Sequence, residues 1–190
     1  MTMKVLAVYV ATVLRLWNPS ATSVEVTLTT TQVVSDSTGT HAVSVPQTIT
    51  VPGGQTVNVA AKANTVATLT QRSSTRPVQM WMDVQNVSLE AQTPATEWAM
   101  PVNQFSGIAI GFPDTTLQQA NLTFQWVSSE GSIWKTGMMP GGASFGMMLE
   151  WLFEKKDLRA GTLRIYSTAP IVVIAAECVP NSPCTKVPVQ

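Results

Sequence analysis

A short series of strand and turn motifs occurs twice along this chain, in the same order. Each copy has an apolar strand that ends at a proline, then a Pro-Gly-Gly turn, then a Ser-Thr-x-Pro segment. The copies comprise residues 14–19, 51–54 and 74–78, and residues 108–113, 139–142 and 167–171. The order is kept while the spacing drifts, as in a duplicated β module whose loops accept insertions and whose strands do not. The sequence therefore predicts two consecutive modules of about 90 residues each.

Alternation of apolar and polar residues with period two dominates both copies and predicts strands. A good example is residues 24–29, which are also rich in β-branched side chains. Residues 145–158 break the pattern, because they contain good helix formers, and we predict one short helical segment there. The sequence thus predicts an all-β protein with a first module at residues 1–92, a second module at residues 97–178 and a Pro- and Cys-containing tail at residues 179–190.

The charge content of the chain is low and balanced. Charged residues make up 12% of the sequence, about half of the usual share. We associate such a composition with exported β proteins, and we expect an extracellular or cell-surface location. Eleven basic residues offset eleven acidic ones, so no global field attracts nucleic acid. No apolar run approaches the roughly 20 residues of a bilayer-spanning helix, so we expect no membrane span.

The N-terminal segment imitates a secretory signal peptide, because Lys4 precedes an apolar run. However, Arg15 and Leu16 follow where a small-x-small cleavage site would stand. The segment also aligns with the start of the second copy, so we interpret it as a strand; a leader remnant is the alternative. Residues 4–13 are our first candidate for an edge strand that pairs with another chain.

The two cysteines, Cys178 and Cys184, enclose a short proline-containing segment. They are a possible disulfide, which would place the protein in an oxidising compartment. The alternative is two free thiols in a mobile tail. A metal site is not expected, because two thiolates without neighbouring ligands form only half of a zinc site.

Residues that carry catalysis are sparse. His41 is the only histidine and falls in a predicted loop, with no second histidine or nearby nucleophile. Ser144 lies in a Gly-Ala-Ser-Phe-Gly segment that mimics a nucleophile elbow, but it follows a predicted hairpin instead of opening a helix. No persuasive carboxylate pair occurs. We therefore predict that the protein is not an enzyme and uses no cofactor or metal.

Tryptophan and methionine residues are the candidates for a contact surface. In the predicted strand around Trp81, the neighbouring methionines point to the opposite face, so one of the two sets faces away from the strand's own core. Exposed aromatic rings serve protein contact, packing between the modules or stacking on sugars. The possible contact surface consists of Met80, Trp81, Met82, Trp98 and Trp134.

Four segments of the chain together resemble a known family: residues 16–20, 51–54, 107–110 and 161–171. They are similar to the tandem immunoglobulin-like β-sandwich modules of bacterial secreted and surface proteins, in the order of an Asn-Pro strand end, a Pro-x-Gly hairpin and a strand pair. The chain departs from that pattern at residues 111–113 and in its cysteine-bearing tail. The second copy is also distantly similar to the β-sandwich transducer that partners a sensory rhodopsin. The resemblance implies two tandem immunoglobulin-like sandwiches and supplies no catalytic residue.

We therefore expect a non-catalytic extracellular or cell-surface structural or adhesive module. It would act through protein–protein contacts or self-assembly, by edge-strand pairing and apolar patches. One alternative is a carbohydrate-binding module that uses exposed tryptophans on a glycan. Another is a soluble oligomeric signalling partner that resembles the transducer and works in the cytoplasm.

Overall fold

The computed structural model of the chain describes residues 1–10, 12–72, 76–113, 120–138, 143–154 and 159–190. Strands dominate these residues, and the predicted all-β sandwich fold is confirmed. The elements are β1 (Thr2–Val8), β2 (Thr12–Trp17), β3 (Val24–Asp36), β4 (Gly39–Val51), β5 (Thr56–Ala61), β6 (Thr65–Gln71), β7 (Gln79–Val84), β8 (Val87–Glu90), β9 (Ala95–Val102), β10 (Ser106–Gly111), β11 (Leu122–Ser128), β12 (Ile133–Met138), β13 (Ser144–Met148), α1 (Leu149–Leu152), β14 (Gly161–Glu177) and β15 (Thr185–Val187).

The predicted helical segment is much shorter than residues 145–158. Its first part belongs to β13, where Phe145 and Met148 pair with residues of β10. Only the four residues of α1 are helical, and residues 155–158 lie outside the described part. The helix formers of β13 are extended because pairing with a buried strand outweighs a weak local propensity.

The first half of the chain forms two four-stranded sheets. One has the order β1-β6-β3-β4 and the other the order β5-β2-β7-β8. Alternating side chains from both sheets meet between them, including Leu14, Leu28 and Leu69. This alternation is the reason that the sequence pattern predicts strands so well here.

The second half repeats this arrangement with one long strand shared by both layers. The first part of β14 pairs with β9 and β11, and its last part pairs with β10 and β15. Its ladder with β9 shifts register between Tyr166 and Ile171, where the strand passes from one layer to the other. The resulting orders are β9-β14-β11-β12 and β13-β10-β14-β15.

The two halves also share their pairing register, as the duplicated motifs predict for β2 and β10. β2 in the first half and β10 in the second half each pair with equivalent strands on both sides. Leu14 lies opposite Val59 and Met82, and Ile108 lies opposite Met147 and Ala175. We use the terms first module and second module for these two halves. The other two motif pairs include residues 74, 75 and 139–142, which lie outside the described part.

Residues 179–190 are part of the second module, which corrects their assignment as a tail. They contain β15, which pairs with β14 as β8 pairs with β7. Gln190 also exchanges two backbone hydrogen bonds with Ala99, in the same way as Gln92 does with Val5. The sequence missed this because β15 has only three residues and its partner strand is distant in the chain.

The two modules meet along β1. Residues 5–8 of this strand are fully buried, and their cluster continues to Ala109, Val172 and Ile174 of the second module. A Cβ on Gly111 would lie 3.0 Å from the Cβ of Ala7, so the backbones approach closely here. The Oγ of Ser144 donates a hydrogen bond to the carbonyl oxygen of Val8 at 3.1 Å.

Residues 4–13 do not form one continuous edge strand, which corrects the extent of that prediction. The strand interpretation of the N-terminus holds for β1, but β1 ends at Val8 and β2 begins only at Thr12. The side of β1 that does not pair with β6 is bonded to Gln92 at Val5. β1 is the end strand of its sheet, but its residues 5–8 are fully buried against the second module, so this edge is less accessible than a solvent-exposed one.

Candidate functional site

The two residues considered for catalysis lie in strands. Ser144 is buried in β13, where its hydroxyl is used by the Val8 carbonyl. His41 lies in β4 opposite Val34, not in a loop, and its Nε2 lies 3.8 Å from the nearer Asp36 carboxylate oxygen. The side chains of His41 and Asp36 are both exposed. Within the described ranges, no group of three or more His, Cys, Asp or Glu side chains is arranged to hold a metal ion.

Three of the five predicted contact residues are in the interior, which corrects that part of the prediction. Met80 and Met82 are buried in the core of the first module, because alternation points both of them inward from β7. Trp98 is buried in the core of the second module, and its Nε1 donates to the carbonyl oxygen of Ala95. Trp81 and Trp134 are each half-buried.

Trp151 is the most exposed tryptophan, with 70% of its surface accessible, and the predicted contact surface did not include it. It lies on α1, whose one buried residue is Leu149. The residue pattern around Trp151 does not indicate this exposure, because a helix of only four residues has no full apolar face to read from the sequence.

The same sheet face differs sharply between the modules. In the first module, the outward face of β2 and β7 has Arg15 opposite Trp81, and an Arg15 Nη2–Asp83 Oδ2 ion pair of 2.9 Å lies on it. In the second module, the equivalent pair is Ala109 opposite Ile174, both almost fully buried. Small and apolar residues thus occupy the face that packs against the first module.

A cavity of about 360 Å³ remains at this junction. One wall is the β7–β8 turn of the first module, in which Gln85 and Asn86 both have positive φ, as expected of a two-residue hairpin. The opposite wall is the small-residue face of β10 and β14. We call this cavity the junction pocket; its lining includes Tyr9, Val87, Ala109, Met148, Trp151 and Ala176.

The junction pocket is apolar. Among the described residues that line it, none has a carboxylate, ammonium, guanidinium or imidazole group. The polar side-chain groups of its lining are the Tyr9 hydroxyl, the Gln85 amide and the Trp151 indole N–H, and burial raises the pKa of the Tyr9 hydroxyl above its ordinary value. The Tyr9 ring packs against Gly146, where a Cβ would lie 3.1 Å from the ring. Because its pKa is raised, the tyrosine lines the pocket in its neutral form.

The structure joins Cys178 and Cys184 in a disulfide, with 4.2 Å between their Cα atoms. Both cysteines also line the junction pocket. The bridge closes the chain between the end of β14 and the start of β15. It therefore ties β15 to the strand with which it pairs.

Among the described residues, the β3–β4 hairpin is the longest, and its outer edge pairs with no other described strand. Each of its strands has 13 residues, whereas the equivalent strands β11 and β12 have 7 and 6. The pairing of β3 with β6 ends at Gln32, so the rest of the hairpin extends beyond the sheet. In the described residues β4 pairs with β3 alone, residues 44–48 of β4 are all exposed, and Val45 is 58% exposed.

The chain matches no family model, and no curated protein is detectably similar to it in sequence. In the ranges that the structure describes, none of the helices has the length and hydropathy needed to cross a bilayer. The immunoglobulin-like classification stays a prediction.

Proposed function

We propose that this chain is a non-catalytic, extracellular or cell-surface structural or adhesive module that assembles through its β4 edge. The observation that supports this most is the outer edge of the long β3–β4 hairpin, which no strand in the described part of the chain pairs with. An exposed edge strand offers a row of backbone donors and acceptors to a strand of another chain. The second module has a much shorter hairpin at the equivalent position.

The side chains of β4 suit pairing between copies. Residues 44–48 hold no charged group, and the whole chain has a formal net charge of zero, which weakens electrostatic repulsion between copies. Pro46 lacks an N–H and interrupts the edge, which limits the registers in which a second strand can pair. This favours a defined contact over open-ended sheet growth.

The disulfide supports the location. Disulfides persist in oxidising compartments and are rare in the cytosol. A Cys178–Cys184 bridge that is intact in the native protein favours the extracellular or surface assignment over the cytoplasmic signalling partner. Mass spectrometry of protein isolated under alkylating conditions decides between them, since a reduced pair would support the transducer-like alternative.

The assembly proposal is tested by light scattering after size-exclusion chromatography across a concentration series. We expect wild-type protein to dimerise or oligomerise and V45K to weaken this about tenfold or more, because a charge is placed beside the pairing edge. V13K is the matched control, since Val13 is 45% exposed but lies on β2, between β5 and β7. Wild-type protein that is strictly monomeric at every concentration, or equal effects of both variants, would contradict the proposal.

Trp151 favours carbohydrate binding as a second candidate function. Its exposed ring beside the junction pocket suits stacking against a sugar face. Binding on a glycan array that is lost in W151A and kept in a Trp81 variant would support this function. Absence of any glycan signal from the wild-type protein would exclude it for the glycans on the array.

A further inference from the structure

We propose that the junction pocket binds a small, uncharged and largely apolar molecule. This site is separate from the β4 edge and does not depend on assembly through that edge.

The volume fits a small ligand. A cavity of about 360 Å³ lies within the range of roughly 300–1,000 Å³ that is usual for small-molecule sites. The void lies between two modules whose other junction contacts are tight, such as Gly111 against Ala7. The close packing of the rest of the junction makes this space a defined feature of its geometry.

The wall determines the class of ligand. The described lining residues have no charged group, so an ionic ligand would lose its hydration without gaining a charged partner. An uncharged ligand would not incur this cost. Val87, Met148 and Trp151 supply apolar contacts, and methionine adapts its shape to irregular partners. The neutral Tyr9 and the Gln85 amide provide hydrogen-bonding groups for one polar substituent.

The first module shows what this face looks like without a pocket. There, Arg15 and Asp83 form an ion pair on the outward face, where the second module has Ala109 and Ala176. The second module thus combines small side chains with an adjacent exposed ring, that of Trp151, at one site. A bound apolar molecule would cover both the wall of small side chains and the Trp151 ring.

The experiment is a fluorescence titration of the full chain with N-phenyl-1-naphthylamine, an uncharged probe that emits in apolar sites. We expect one saturable site per chain and energy transfer from tryptophan to the probe. A176L, which fills the pocket, should weaken binding about tenfold or more. W151A changes a surface residue, so it should remain folded; we expect it to weaken binding and reduce the energy transfer. 1-Naphthoate, which is anionic, should compete poorly.

A60L is the matched control, since Ala60 is exposed on β5, at the first-module position equivalent to Met148. It should bind the probe as the wild type does. The proposal is overturned if the wild type shows no saturable binding, or if folded A176L and W151A bind as tightly as A60L. It is also overturned if these two variants change the oligomeric state of the protein and leave probe binding unchanged, because the pocket would then be a protein interface.

Discussion

The two modules have the same strand order and register, yet the same sheet face is solvated in the first and buried in the second. Arg15 and Ala109 occupy equivalent places on β2 and β10, and only Ala109 lies against another module. Alternation therefore sets the sheet and its register, whereas the size and charge of the outward residues decide which face can form a junction.

A second difference concerns a buried polar residue. Asn18 follows β2, is fully buried and donates from Nδ2 to the carbonyl oxygens of Thr22 and Val51. The equivalent Phe112 after β10 stacks on Phe145 with ring centroids 6.1 Å apart. The same strand end is thus secured by hydrogen bonds in one module and by apolar packing in the other.

Exchanging the outward residue between the modules should have the largest effect. A109R places an unpaired guanidinium in the junction, and we expect a loss of about 3–5 kcal/mol in the free energy of unfolding. The reciprocal change, R15A, removes a half-exposed ion pair and should cost only about 0–1 kcal/mol. Urea denaturation of both variants measures the difference. Similar costs would show that the two faces are equally exposed, contrary to the structure.

Removal of the disulfide should have an intermediate effect that is confined to one module. The C178S/C184S variant should lose about 2–3 kcal/mol, because the bridge restricts the unfolded chain around β15. Native-state hydrogen exchange should show faster exchange for β15 amides and little change in β8, which is equivalent but has no bridge. Unchanged protection of β15 would mean that backbone pairing with β14 is sufficient to hold it.

The smallest expected effect is at the tip of the long hairpin. Hydrogen bonds from the Thr38 hydroxyl and from its backbone N–H lower the pKa of the Asp36 carboxyl below its ordinary value. A lowered pKa in the folded state stabilises the tip above the ordinary pKa of Asp, about 3.9, and this stabilisation is lost as pH falls through the folded value. In an NMR titration, T38A should raise the Asp36 midpoint part of the way back. An unchanged midpoint would exclude the hydroxyl as the main cause.

Period-two patterning predicted that Trp81 and its neighbouring methionines face opposite ways, but not which set faces inward. That choice depends on which face meets the partner sheet, and one strand alone does not contain this information. The assembled structure resolves it by burying Met80 and Met82 and leaving Trp81 half-buried.

The junction pocket was beyond the reach of sequence patterns. It is built from a turn of one module, a sheet face of the other and the segment after β1, and these lie far apart in the chain. Gly107 and Ala109 do not reveal the pocket by themselves, because a glycine in a strand indicates a bulge or a close approach without identifying what approaches. The duplication predicted β2 and β10 as equivalents, while the short strand β15 gave too weak a local signal.

Native-state hydrogen exchange at Gln92 and Gln190 tests the equivalence of the modules most directly. The backbone N–H of Gln92 bonds to Val5, and that of Gln190 bonds to Ala99. We expect slowed exchange of both amides, and nuclear Overhauser contacts from each glutamine to its partner residue. Rapid exchange at Gln190 without a contact to Ala99, in protein whose Gln92 is protected, would contradict this equivalence.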